Sequence, residues 1–97
     1  MASKRYDLTI EDDILTVKFL TDSIYHFDIF SEIENWKNYS TIVFDLDSVE
    51  YLDTDTVSGF IKLQNNGCEV KLINVGQESG DICTVIGLDC IFDIERK

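Results

Sequence analysis

The 97-residue sequence contains no proline, one histidine, one tryptophan and one methionine. With no proline, no low-complexity stretch and no internal repeat, nothing marks a linker, and a length near the common size of one domain reads as a single domain over residues 1–97. The sole histidine, His26, stands far in sequence from Cys83 and Cys90, which leaves a histidine-assisted nucleophile little to be built from and points to a non-enzymatic protein. Glycine is sparse as well: Gly76 and Gly80 lack the lysine or third glycine that cradling a phosphate requires. Cys68, Cys83 and Cys90 are odd in number and lack paired metal-ligand spacing, so they read as reduced, mostly buried thiols with no metal or other cofactor implied. Nowhere do enough apolar residues run together to span a bilayer. The start, Met1-Ala2-Ser3-Lys4-Arg5 and then Tyr6-Asp7-Leu8-Thr9, has no apolar signal core, so a cytoplasmic protein without direct membrane insertion is expected.

Positive charge is also scarce. Eight basic residues face 19 acidic ones, and the formal net charge of −11 repels a nucleic-acid backbone and an anionic membrane surface alike. The acidity is spread along the length, which reads either as solubility or as complementarity to a basic protein partner. With 44% hydrophobic and 28% charged residues, the composition is that of a folded globular chain.

Alternating apolar residues over Tyr6–Ile10 and Ile14–Leu20, separated by Glu11-Asp12-Asp13, predict a β-hairpin. From His26 to Lys37, the residues Ile29, Phe30, Ile33 and Trp36 recur at helical spacing, with Ser23 as a possible cap. Thr41–Leu46 is β-branched, aromatic and apolar on both faces, which predicts an interior strand. Val57, Phe60, Ile61 and Leu63 then mark a second helix, capped by Asp53 or Thr54 and closed by Gly67 at C′. Cys68–Asn74 reads as a strand, Asp81–Ile86 as a short third helix stopped by Gly87, and Cys90–Ile94 as a closing strand. The order ββαβαβα(β) is that of an α/β domain with a mostly parallel sheet of four to five strands, an N-terminal hairpin strand and about three helices.

Asp45, Asp47, Asp53 and Asp55 gather around the end of the central strand, where open α/β sheets place functional loops. A receiver-like magnesium site would need carboxylates from separated segments, and Asp12-Asp13 sits in a hairpin turn instead; Asp45 and Asp53 read better as acceptors of backbone N–H groups. Thr54, Asp55 and Thr56 fall in the first helical turn, where unpaired N–H groups and the positive end of the dipole tolerate a phosphate or a carboxylate.

The stretch from Ile42 to Leu63, TIVFDLDSVEYLDTDTVSGFIKL, resembles the STAS family pattern of a strand, a hydrophobic-Asp pair and Ser-Ser-Gly-Leu-Gly opening a helix. Cys68 to Ile94, CEVKLINVGQESGDICTVIGLDCIFDI, is similar to that family's hydrophobic strand, short helix and Gly-Leu-Asp ending, so the two matches cover a little over half of the chain. The resemblance implies a protein-binding regulatory module of the anti-sigma factor antagonist kind. In that branch the residue after the aspartate, here Thr54, is phosphorylated by a partner that is both kinase and anti-sigma factor. It also implies a partner-binding face at Asp53, Thr54, Asp55, Thr56 and Ser58, bordered by the loop holding Asp22 and Ser23. Asp55 stands at the second position of the pair as a fixed negative charge, and Thr56, Val57 and Ser58 replace Gly-Leu-Gly. Thr21-Asp22-Ser23-Ile24 replaces the family's Gly-Glu-Leu-Asp loop, the first helical segment is shortened, and the chain ends without the family's final helix. The alternative expectation is a non-switching accessory or scaffold subunit, such as the STAS-like partner of a phospholipid-type ABC transporter ATPase. Self-association through Phe27 or Phe92 is a further possibility on the sequence.

Overall fold

A computed structural model describes residues 5–76 and 92–96 of the chain. The hairpin forms as expected: β1 (Tyr6–Glu11) and β2 (Ile14–Phe19) pair antiparallel around Asp12, which takes a positive φ of 56° at the turn. β4 (Thr41–Asp45) lies parallel to β2, β6 (Glu69–Val75) parallel to β4, and β7 (Asp93–Arg96) parallel to β6. The result is a mixed five-stranded sheet in the order β1-β2-β4-β6-β7, its one antiparallel pairing being the hairpin.

Register places the core. Leu15, Ile42 and Val70 form one row across the sheet, and Val17, Phe44 and Leu72 the next; all six are buried. Onto these rows the helix α2 (Thr54–Asn65) lays Val57, Phe60 and Leu63, with the Phe60 ring stacked on Phe44 at 4.1 Å. The helix ends in a Schellman motif: Gly67 N–H donates to Gln64 O and Cys68 N–H to Leu63 O, with Gly67 at φ 93°. Gly67 is therefore the C′ residue that the sequence implied. Cys68 is buried as expected, and burial, reinforced by Glu69, raises its thiol pKa; Cys83, Cys90 and the expected Asp81–Ile86 helix lie outside the described residues.

Three expectations need correction. The single helix over His26–Lys37 is instead a four-residue helix, α1 (Ile29–Glu32), and a separate 3-10 turn at Trp36–Asn38. The period was right but continuity fails: Ile33 leaves the helical conformation (φ −124°, ψ 89°) and buries itself, and Asn35 leads a new turn. A stretch this short holds helix only where tertiary contacts pin it. Here Phe30 and Trp36 meet edge to face at 5.0 Å across the break. Second, Ser23 is no cap; Asp28 caps α1 by accepting the Phe30 N–H, and Ser23 lies in a strand. Third, Phe27 and Phe92 are buried, at 2% and 5% exposure, and offer nothing for self-association.

A second, two-stranded parallel sheet, β3 (Ser23–Ile24) with β5 (Tyr51–Leu52), was not expected from the apolar pattern. It is small, but it fixes the site. Ile24 and Leu52 are buried side by side, while Asp22 O accepts the N–H groups of Glu50 and Tyr51 and Ile24 O accepts that of Asp53. The loop entering α1 is thereby held against the segment entering α2.

Candidate functional site

Asp53 is the N-cap of α2, with extended backbone and its Oδ1 accepting the Thr56 N–H at 2.9 Å. Its other oxygen, Oδ2, accepts the His26 N–H at 2.8 Å, so one carboxylate ties the helix start to the loop after β3. Partial burial pushes the Asp53 carboxyl pKa up, but the bonds from Thr56 and His26 outweigh that and hold it below the usual carboxylate value. His26 adopts this geometry at a positive φ of 53°.

Thr56 is fully buried, and its hydroxyl oxygen accepts the Phe27 N–H at 3.2 Å. It therefore faces inward, and the side chain that replaces a glycine of the family pattern supplies a second tie to the same loop. Thr54 and Asp55 point the other way. Both are exposed at the first and second positions of α2, as is Ser58 one turn on. Asp22 is exposed and Ser23 half-buried, the latter opposite Tyr51 in the small sheet, so they flank the helix start through β5.

Two features escaped sequence reasoning. His26 Nδ1 lies 2.9 Å from Asp55 Oδ2, bridging loop and helix on the solvent side, and with Phe30, Asp55, Ser58 and Lys62 it lines an open cavity of about 350 Å³. Tyr25 and Tyr51, each beside a buried strand residue, form an exposed ring pair at 5.4 Å, and they are 52% and 44% exposed. The signal was present in the alternation Ile24-Tyr25 and Tyr51-Leu52, but two-residue strands are too short for periodicity to register.

His26 Nδ1 and carboxylate oxygens of Asp53 and Asp55 lie within 4.8 Å of one another, close enough to share a cation. However, both Asp53 oxygens already accept backbone N–H groups, and the His26 and Asp55 side chains are 80% and 69% exposed. Asp45, the other carboxylate weighed for a metal, accepts from the Asp47 N–H and the Asn74 side-chain amide, the turn role expected of it. What the site does present is a polar surface with two exposed rings, built on a rigid base.

Residues 8–97 match the family model described as the STAS domain. The chain belongs to the STAS domain family. Its fold is similar to the crystal structure of a candidate anti-sigma factor antagonist from Thermotoga maritima, with a TM-score of 0.71 at 16% identity, covering 95% of this chain and 86% of that one. Nothing among the curated proteins matches. Among the described residues, no helix is long and apolar enough to cross a membrane.

Proposed function

We propose that this STAS domain is a cytoplasmic, non-enzymatic regulatory module that binds another protein through the outward side of the α2 start. The observation that carries the reading is the division within one helical turn: Asp53 and Thr56 are spent on internal bonds, while Thr54, Asp55 and Ser58 face solvent, and the two short strands that enter the site expose the Tyr25–Tyr51 pair. Exposed tyrosines supply rigid contact area with a polar tip, which suits a protein interface. The chain's charge of −11 favours a basic face on the partner.

In the anti-sigma-antagonist reading, a partner kinase that is itself the anti-sigma factor phosphorylates Thr54. The Thr54 hydroxyl oxygen forms the new bond to the γ-phosphorus of ATP, ADP leaves, and the hydroxyl proton passes to a base of the kinase. The helix N-terminus tolerates the added charge, whereas a closely packed interface does not, so the phosphate acts by breaking the contact with the partner. Incubation with the cognate kinase and ATP, followed by phosphosite mapping, tests this. Phosphate on Thr54 is expected, and phosphate elsewhere or nowhere overturns the switch.

A second reading is favoured by the Asp55 carboxylate, which follows Thr54 in the chain and is held by His26 Nδ1 at 2.9 Å. On that reading the domain is a non-switching accessory or scaffold subunit, for instance of a phospholipid-type ABC transporter. Equal partner binding by wild type and Thr54→Glu would select it.

A further inference from the structure

Arg5 stands just before β1, and its backbone oxygen accepts the Leu20 N–H at 2.8 Å, which fixes it next to the residue that follows β2. From there the side chain crosses to the loop of the candidate site. Its Nη1 donates to Tyr25 O at 3.0 Å, and its Nη2 meets Glu32 Oε2 of α1 at 2.6 Å. The guanidinium lies 5.8 Å from the centre of the buried Phe27 ring.

Tyr25 O and His26 N–H belong to one peptide unit and point in opposite directions, because that unit is planar and trans. Arg5 holds its oxygen, and Asp53 Oδ2 accepts its N–H at 2.8 Å. The peptide therefore lies between a guanidinium and a carboxylate, with its dipole aligned to both. This orientation sets His26 at φ 53°, a left-handed conformation that few residues other than glycine adopt and that costs free energy. A half-turn of the peptide would return His26 to the ordinary negative region. It would also aim the carbonyl at Asp53 and the N–H at Arg5, replacing two charge-assisted bonds with two repulsions. Charge on both sides thus opposes the relaxation that sterics favour.

We propose that Arg5 is a positioning residue for the binding surface: with Asp53 on the opposite side, it locks the Tyr25–His26 peptide in the orientation that keeps His26 left-handed. The lock holds the loop at the point where the His26 ring meets Asp55. Glu32 and Phe27 in turn steady the guanidinium from α1 and from the core. The purpose of the lock rests on the surface proposed at the α2 start, while the lock itself is a property of the free chain.

The test uses the whole chain and Arg5→Met, which keeps an apolar stem against Phe27 and deletes both donors. Glu32→Gln is the control, since it removes the ion pair and leaves the Tyr25 carbonyl bonded. Two NMR readouts need no partner. One is the amide-to-Hα coupling of His26, which reports φ; the other is the titration of Asp53, whose carboxyl burial raises and the bonds from Thr56 and His26 lower. Arg5→Met should shift the coupling to the larger value of an extended residue and move the Asp53 titration upward, and Glu32→Gln should do neither. In a His26→Gly background, where a positive φ costs little, Arg5→Met should leave the Asp53 titration where His26→Gly alone puts it. With a purified partner, Arg5→Met should weaken binding at least about threefold, as the competent loop becomes the minor form. An unchanged His26 coupling in Arg5→Met overturns the lock. So does an equal change in Glu32→Gln, which traces the effect to α1, or an equal Asp53 shift in the His26→Gly background, which marks only the lost charge. Unchanged affinity with a shifted coupling overturns the positioning role. If the partner protects another face of the wild-type chain, the binding surface falls while the lock, read on the free protein, stands.

Discussion

Within the first turn of α2, two residues look inward and two look outward, and they differ in what they are bonded to. Asp53 and Thr56 each accept a backbone N–H from the loop before α1, from His26 and Phe27 respectively. Thr54 and Asp55, interleaved with them, are exposed, and the Asp55 carboxylate meets the solvent-side imidazole of His26. The inner pair makes the platform, and on the proposed function the outer pair is the surface that meets a partner. On that reading stability and recognition are separable by substitutions one residue apart.

The largest stability effect should come from Asp53→Ala, which removes the α2 cap and the loop tether together. A loss of about 2 kcal/mol is expected in denaturant unfolding, at the upper end for a single cap. Thr56→Val keeps the shape and deletes the hydroxyl, leaving the Phe27 N–H unpaired in the core, and should cost about 1–2 kcal/mol with partner affinity little changed. Acid should reproduce part of the Asp53 effect. The folded-state pKa of Asp53 is lowered, so its contribution is fully present above the ordinary carboxylate value near ~4 and is lost as pH falls through the lowered one. An unfolding series between about pH 5 and pH 2 should therefore show a smaller slope for Asp53→Asn than for wild type. On the outward side, Thr54→Ala and Asp55→Asn should each shift stability by no more than about 0.5 kcal/mol. Thr54→Ala should nevertheless abolish phosphate incorporation by a cognate kinase. If Thr54→Ala destabilised the fold as much as Asp53→Ala, the division between inner and outer pairs would fail.

Much of this was legible in the sequence because long periodic segments carry their own signal. The hairpin, the interior strand over Thr41–Asp45 and the helix after Asp53 announce themselves through alternation, β-branching and an Asx cap closed by Gly67. The segment after His26 did not, because its apolar spacing suits a helix while the chain breaks at Ile33 to bury that side chain. Spacing alone cannot distinguish one helix from two turns sharing a face. The candidate site was half legible. Thr54 and Asp55 could be placed on the helix start from the motif, but the role of Thr56 could not, since it depends on a contact with Phe27 from a distant loop. His26 and the Tyr25–Tyr51 pair were invisible for the same reason, being brought together by two strands of two residues each.

The most direct test of the partner surface is amide hydrogen exchange of the full chain with and without its purified partner. Protection is expected at Tyr25–His26, at Tyr51 and across Thr54–Ser58, with binding weakened by Thr54→Glu and retained by Thr56→Val. Protection that left all of these unchanged and fell elsewhere on the domain would contradict the assignment of the α2 start as the binding surface.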